Sequence, residues 1–589
     1  MTVLSSLARL YQRLRAAGDV PPFGYTRERI SWSLRIDEHG MPVQLIDRRR
    51  VIEDGKVPVL EDVPAGERTA DIKPKLFWDR GTYVFGSAGT SAVKNGEDQN
   101  NSTKLRSRTE AEHQAFVDFH RNVLKGASDP ALIAFRRFVD SWSPEMFARM
   151  GFDESALTSN IVFEVDFGEG PQFIHDRPEA RAIVESRSSG PLGTCFVTGE
   201  TTPIERLHPR IKGVLGTKGF GASLVSFAEP VSESFGFRQS ENAPISSSAA
   251  FTSAAALNSL LSRESQNRLL LGPCSVVFWA DTDCPMEADV IEPMVRKGLK
   301  GSKEYTSSQA VDDDVAQMWE RMGSLTTQCR DVVVCILVLS ANAGRLSVQY
   351  WYKAKISEFL VALESLRADL ALDQAHWLKG PAARPLLFAS AARTNGRVRS
   401  DAIGPALVTA LLQGVLNRRA VPRSFVARTL ASIRVDGEIS DQRAAVCKAY
   451  VNRESSSHPL PKKLSDEIED VSYNLGRLFA VLESVQLVNN SRLGNSFVGQ
   501  GFARAAGSPA ATFPRLITVA RAKLDTFDDA RDKARFSWVE TELKNVMERL
   551  PSDLPAHLAL EDQARFVVGY FQQRWTKRDR IEGAASIEA

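Results

Sequence analysis

Apolar residues recur along this chain in two rhythms, and the change between them falls near Lys353. At the start, Leu4, Leu7, Leu10, Tyr11 and Leu14 form one helical stripe that Pro21-Pro22 ends. Ile30–Ile36 (ISWSLRI) alternates like a strand, Asp37–Gly40 is a turn, and Val43–Ile46 returns as its hairpin partner. Thr82–Phe85 reads as a strand and the Gly-, Ser-, Asn- and Lys-rich Gly86–Ser107 as a flexible loop. Helical periodicity follows in Glu110–Leu124 and Asp129–Ser141, then a strand at Asn160–Asp166. Ser275–Ala280 is a short buried strand, and Asp331–Ser340 with Arg345–Tyr352 predicts a hairpin around Ala341-Asn342-Ala343-Gly344.

From Lys353 the period becomes 3.6. Ile356–Leu372, Ala402–Val415, Arg423–Ile433 and Asp441–Val451 predict successive helices, and Asn452–Lys463 a linker or long turn. Beyond it Leu475, Leu478, Phe479, Leu482 and Val485 make a clean stripe. With helices at Phe513–Asp525, Ala530–Leu550 and Glu561–Trp575 it predicts a four-helix bundle. The fold class is α+β: a mixed α/β N-terminal region with β-hairpins, then an all-helical C-terminal part ending in a helix bundle. The expected domains are an N-terminal α/β region (1–110), a central α/β region with a glycine-rich loop (111–352), a helical region (353–455) and the bundle (456–589).

Composition narrows the class. The chain has 589 residues, 43% hydrophobic and 25% charged, as in globular proteins. Its net charge of +2 assigns any nucleic-acid role to local patches. Six cysteines without a CxxC pair suit free thiols in a reducing compartment better than disulfides or zinc. No signal-peptide core or bilayer-length apolar run is present, so the expectation is a soluble, cytoplasmic protein.

Cys195–Leu261 is the most distinctive stretch. A strand candidate at Cys195–Thr198 leads through the basic Leu207–Lys212 to a loop with glycines at 213, 216, 219 and 221, then the apolar run Ala222–Phe227 and, after Asn242-Ala243-Pro244, an alanine-rich helix. Glycines permit φ > 0 and close backbone approach. Lys212 and Lys218 put cations beside Gly216, Gly219 and Gly221, as a phosphate-bearing partner requires. An ordinary mobile loop has the same composition. Cations and aromatics also interleave in Asp71–Arg80, and Arg296–Lys303 is a basic segment expected to be exposed.

No catalytic signature stands out. Cys195 and His208 would make a nucleophile pair only if they met in space. Asp281, Asp283 and Asp312–Asp314 could be metal carboxylates, but the Asp run reads better as a solvated helix start. The glycine spacing is not a dinucleotide fingerprint. A non-enzymatic protein without cofactor or metal is expected; the alternative is a nucleic-acid hydrolase using His208 and nearby carboxylates.

In order, CFVTGE, LHPRIKGV, FGASLVSF, NAPIS and the ALNSLL helix resemble the large subunit of the type I-C (Dvulg-type) CRISPR interference complex, Cascade. Further matches are Asp37–Gly40, Lys73-Pro74-Lys75, Leu339–Val348, Leu475–Glu483 and Phe513–Leu516, so the resemblance spans essentially the whole chain. It implies a subunit that recognises the protospacer-adjacent motif (PAM) in duplex DNA, aids strand opening, holds the displaced strand and helps recruit a helicase-nuclease. Its partners would be guide CRISPR RNA, target double-stranded DNA, the backbone and guide-end subunits, and no membrane.

The resemblance assigns PAM contacts to the N-terminal region, and hence Lys73, Lys75 and Arg80 to duplex DNA. Several members carry asparagine at the position of Lys75, so this chain departs there and the motif read here is left open. The bundle resembles a small subunit, making Arg477, Arg515, Arg521 and Lys523 candidates for the displaced strand or guide. Exposed helix charges that aid solubility look the same in sequence. An internally translated small subunit could begin only at a non-AUG codon, because no methionine lies between Met322 and Met547.

Overall fold

Strand β2 (Trp32–Ile36) is the spine of the N-terminal sheet in this computed structural model. The structure describes residues 2–52, 55–66, 72–87, 99–168, 170–187, 190–219, 221–228, 230–233, 235–301, 320, 330–342, 345–373, 382–394, 397–398, 403–419, 421–454, 459–487, 494–525 and 530–585, the side chains of 99–105, 394, 397, 486–500, 530–537 and 575–585 excepted. β1 (Tyr25–Ile30) runs up to β2, and β3 (Pro42–Asp47) pairs antiparallel with it, as the alternation predicts. In the connecting turn, Asp37 Oδ1 accepts the amides of His39 (3.0 Å) and Met41 (2.7 Å). Gly40 takes φ +83°, where a Cβ would meet the Ala134 carbonyl at 2.5 Å.

The hairpin β4 (Arg50–Ile52) and β5 (Gly55–Val57) follows, and β6 (Val59–Pro64) pairs with β1. β7 (Trp78–Arg80) and β2 flank β8 (Asn160–Asp166), β2 in parallel and β7 antiparallel, while β9 (Pro171–Phe173) pairs antiparallel with the end of β8. Helix Pro130–Ser141 covers this sheet, with Phe77, Phe85, Phe116, Phe135, Phe138 and Phe163 in an aromatic core. Ring centroids there lie 4.6–6.4 Å apart at mostly tilted angles, the favoured aromatic geometry.

Two expectations fail here. Thr82–Phe85 lies in a helix, Gly81–Phe85, because consecutive Tyr83, Val84 and Phe85 are all buried and a run this short cannot reveal its period. The expected loop Gly86–Ser107 is helical from Gln99, the start of Gln99–Val123.

Contacts divide the chain into one unit of residues 1–209 and 225–259, and another of 210–224 and 260–589. In the first, Cys195–Thr198 is a turn joining β10 (Leu192–Thr194) to β11 (Thr201–Pro203), not a strand. In the second, β12 (Arg210–Ile211) and β13 (Ala222–Ser223) form a hairpin, so little of the run Ala222–Phe227 is strand. The predicted alanine-rich helix is Ser247–Leu260.

The main sheet of the second unit is an antiparallel meander: β14 (Arg268–Leu271), β15 (Cys274–Ala280), β16 (Val333–Asn342) and β17 (Arg345–Lys355). Val276, Phe278, Ile336 and Val338 face the helical core, while Val277, Trp279, Leu337 and Leu339 on the other face are also buried. Burial on both faces explains the unbroken apolar runs. Ala343-Gly344 of the predicted turn and Asp312–Asp314 lie outside the described residues.

Arg296 and Lys297 are half-buried in helix Pro285–Lys300, correcting the exposed basic segment; Lys303 lies outside the described residues. Val295 and Leu299 draw that helix onto the sheet. Helices Ile356–Leu370, Pro405–Leu416, Arg423–Asp436 and Asp441–Glu454 follow as predicted. The C-terminal part has Val471–Leu487, Gly494–Gly507, Pro509–Leu524, Ala530–Met547 and Leu560–Ala585, one helix more than predicted. Helix (about 51%) and strand (about 19%) occupy different stretches, so the fold is α+β.

Candidate nucleic-acid interface

Buried Asp79 organises the segment around Lys73–Arg80. Its Oδ2 accepts the amide of Lys75 (2.8 Å) and its Oδ1 that of Arg80 (2.7 Å), closing the backbone over one carboxylate. Trp78 is buried and its indole N–H donates to the Pro64 carbonyl (2.9 Å). The Lys75 ammonium lies 3.6 Å from the Trp78 ring centroid, a cation–π contact that holds the charge at the protein surface. Lys73 is exposed two residues earlier.

Arg80 projects from the end of β7 into a shallow polar depression that it shares with Arg29, Ser31, Thr158, Ser159 and Asn160. Its Nε donates to the Thr158 carbonyl (3.2 Å). Asn160 donates to the Arg29 carbonyl (3.0 Å), fixing the strand ends that present the two guanidinium groups. Among the described residues, neither arginine has a carboxylate within ion-pair distance. Two exposed arginines over hydroxyl and amide groups are the kind of donor set from which a phosphate oxygen accepts hydrogen bonds. Arg29 lies on β1 and Arg80 at the end of β7, with β2 to β6 between them in sequence, so only the tertiary structure brings the two together.

The glycine loop is a pinned hairpin instead of a mobile connection. The Val214 carbonyl accepts the Thr217 amide (3.1 Å) and hydroxyl (2.8 Å), and the Lys218 carbonyl accepts the Gly221 amide (2.8 Å). The Leu215 amide donates to Ser275 Oγ (2.9 Å) and Arg268 holds the Gly213 carbonyl (2.8 Å). Gly213, Gly216 and Gly221 take φ of +84°, +87° and +77°, and at Gly213 a Cβ would meet the Leu261 carbonyl at 2.7 Å. Gly219 has neither constraint. Lys212 and Lys218 are exposed on this hairpin, in the other unit from Lys73, Lys75 and Arg80.

Arg477 is corrected. It is 1% exposed, with Nε donating to Gln573 (2.9 Å) and Nη2 paired with Asp466 (2.7 Å), so it is an internal cation of the bundle and offers no face to a strand. A charge inside an apolar stripe was the available signal. Arg515 and Arg521 are exposed on helix Pro509–Leu524 and Lys523 is half-buried there. Six residues of separation turn Arg521 about 120° round the helix from Arg515.

Cys195 and His208 do not form a hydrogen-bonded pair. Burial alone would raise the Cys195 thiol, but hydrogen bonds from Ser246 and Thr198 outweigh it and bring it down to about 7. The sulfur accepts the amides of Ser246 (3.2 Å) and Val197 (3.4 Å). Burial pushes the His208 imidazole down. Asp281 is nearly buried and bonds Lys353 at 2.9 Å. Among the described residues no helix is long and apolar enough to cross a membrane.

A family model described as CRISPR-associated protein (Cas_Csd1) matches residues 7–577. The chain belongs to this CRISPR-associated family. Membership indicates a Cascade-type subunit of CRISPR defence. No individually curated protein matches the chain. The family match runs through both units of this Csd1-family protein and covers the Lys73–Arg80 segment, the glycine hairpin and the bundle alike.

Proposed function

We propose that this Csd1-family protein is the non-catalytic large subunit of a type I-C Cascade and that the Lys73–Arg80 segment contacts PAM-bearing duplex DNA. The observation carrying this reading is the pair of arginines, Arg29 and Arg80, in one polar depression, with Lys75 resting on Trp78 in the same segment as Arg80. Arginines at the depression position the duplex through phosphate, while Lys73 and Lys75 are near enough in sequence to reach base edges. A guide RNA carried by the other subunits reads the remaining target by pairing, so the protein needs few base contacts. Strand opening, retention of the displaced strand by Arg515, Arg521 and Lys523, helicase-nuclease recruitment and an internally started small subunit complete the reading. Binding without chemistry fits a Cys195 sulfur engaged by backbone amides and an Asp281 carboxylate paired with Lys353.

The test is a gel shift at fixed salt with the complex assembled on guide RNA. Duplex carrying the PAM should bind far more tightly than duplex with that motif scrambled; equal affinity for the two rejects the reading.

A further inference from the structure

We propose that the outer edge of β17, the last strand of the meander, takes up an extended segment of a partner protein as a fifth strand, the segment carrying a basic, an apolar and an acidic residue in succession. β17 ends the four-stranded sheet, and among the described residues no strand pairs with its outer side. A groove of about 680 Å³ runs there, within the roughly 300–1,000 Å³ span of ligand clefts. Residues 350–354 all line it. Side chains of a strand alternate between faces, so consecutive residues share one groove only along the strand's edge.

The hydrogen-bond register sets which main-chain groups face out. The Ile356 amide donates to the Val332 carbonyl at 2.9 Å, one step beyond the pair Val333–Lys355. Bonded pairs alternate along an antiparallel ladder, so Tyr352, opposite Ile336, and Tyr350, opposite Val338, bond β16, while Trp351 turns its N–H and C=O outward. Gln349 faces out as well, and there the Thr409 hydroxyl of helix Pro405–Leu416 reaches its carbonyl at 3.5 Å, closing the edge beside the groove. A helix satisfies its own main chain and would leave the groups of Trp351 unpaired; an extended segment supplies a partner for both.

The charges around the groove fix what that segment carries. Glu358 on helix Ile356–Leu370 and Arg418 past the end of Pro405–Leu416 belong to the lining, and both are exposed, as is Arg419. They stand at opposite ends. Asn417 donates to the Tyr350 hydroxyl at 3.2 Å, and with Arg419 it opposes the rise that burial imposes on that hydroxyl; burial, Tyr350 and Glu358 together raise Tyr352. In a strand antiparallel to β17, the residue opposite Tyr352 comes first and meets Glu358, and the one opposite Tyr350 meets the arginines. The apolar residue between them lies on the other face beside Trp351, which leans on Trp279 with centroids 5.6 Å apart. A nucleic-acid backbone would instead be repelled by the Glu358 carboxylate. Arg29 and Arg80 belong to the other unit, so the inference stands apart from the duplex-binding reading.

The full-length protein is titrated against a fluorescein-labelled peptide of about seven residues, Thr-Val-Lys-Val-Glu-Val-Thr, and anisotropy is read. It should bind with a Kd below about 1 mM. Methylating the amide nitrogen of the central valine removes the donor that meets the Trp351 carbonyl and should weaken binding about tenfold; methylating that of the following glutamate, which faces away, should change it less than about twofold. The peptide with lysine and glutamate exchanged should bind about fivefold more weakly, and Glu358→Lys with Arg418→Glu and Arg419→Glu should reverse that preference. The reversal itself shows that the variant is folded. Arg80→Glu should change none of these affinities. No saturable binding, equal sensitivity to the two methylations, or an unreversed preference each overturns the proposal. So does a dimer in sedimentation equilibrium that the peptide dissociates, which assigns the edge to a second copy of the chain.

Discussion

Nε2 of His120 accepts the backbone N–H of Phe77 at 3.0 Å, while its Nδ1 donates to the Phe116 carbonyl at 2.9 Å. The two partners fix the neutral tautomer. Phe77 has φ +63°, unusual for a bulky residue, and stands between Lys75 and Trp78. A fully buried histidine thus clamps the backbone turn on which the candidate interface is built. His120→Ala leaves the Phe77 amide unsatisfied and opens a cavity among Phe116, Phe119 and Phe135. Unfolding free energy should fall by about 2–4 kcal/mol, measured by urea denaturation.

The same burial makes stability pH-dependent. Desolvation pushes His120 down to about 3 and His175, stacked on Phe173, down to about 4. Both histidines are neutral when folded and take up a proton near pH 6.5 when unfolded. Their contribution is therefore complete above about 6.5 and is lost as the pH falls towards the folded values. Between pH 6.5 and 5 each should cost about 2 kcal/mol. Thermal melts across that range should show the loss, and His120→Ala should flatten it; a profile of unchanged slope in the variant would assign the dependence elsewhere.

Arg29→Glu and Arg80→Glu should each weaken duplex binding by the assembled complex and reduce the salt slope by about 1, the signature of a lost phosphate contact. The loss should be similar for PAM and scrambled duplex. Lys75→Glu should instead act mainly on the PAM duplex. Filter binding at several salt concentrations separates the two patterns.

Arg477→Ala should lower stability by about 3–5 kcal/mol, because Asp466, Gln573 and Asn474 lose a nearly buried cation. Arg515→Ala should stay within about 0.5 kcal/mol of wild type, as expected at an exposed position. Denaturation of the two variants compares them directly.

Gly476 and Gly569 mark the crossing of helices Val471–Leu487 and Leu560–Ala585. A Cβ at Gly476 would strike the Phe566 carbonyl, and one at Gly569 the Tyr473 carbonyl. Gly→Ala in a helix ordinarily gains about 1 kcal/mol. Here Gly476→Ala should instead destabilise by about 1–3 kcal/mol, since two backbones must separate. A raised melting temperature would refute the close crossing.

Hydrophobic period alone determined much of this protein: the β2–β3 hairpin, β8, β15 to β17, the helices from Ile356 onward and the α+β class. Each of those elements is long enough to show its rhythm, or is bounded by a turn of known chemistry. The short helix Gly81–Phe85 was decided by tertiary packing, because three consecutive buried residues carry no period, and at Cys195–Thr198 packing buries Cys195 but leaves Phe196 exposed in a turn. Lys73, Lys75 and Arg80 were legible as cations among aromatics. That Lys75 rests on Trp78, that Arg29 joins Arg80, and that Arg477 turns inward depended on residues distant in the chain. Local pattern specifies which face of an element is apolar; which charges meet solvent and which meet one another is set only when strands pair and helices cross.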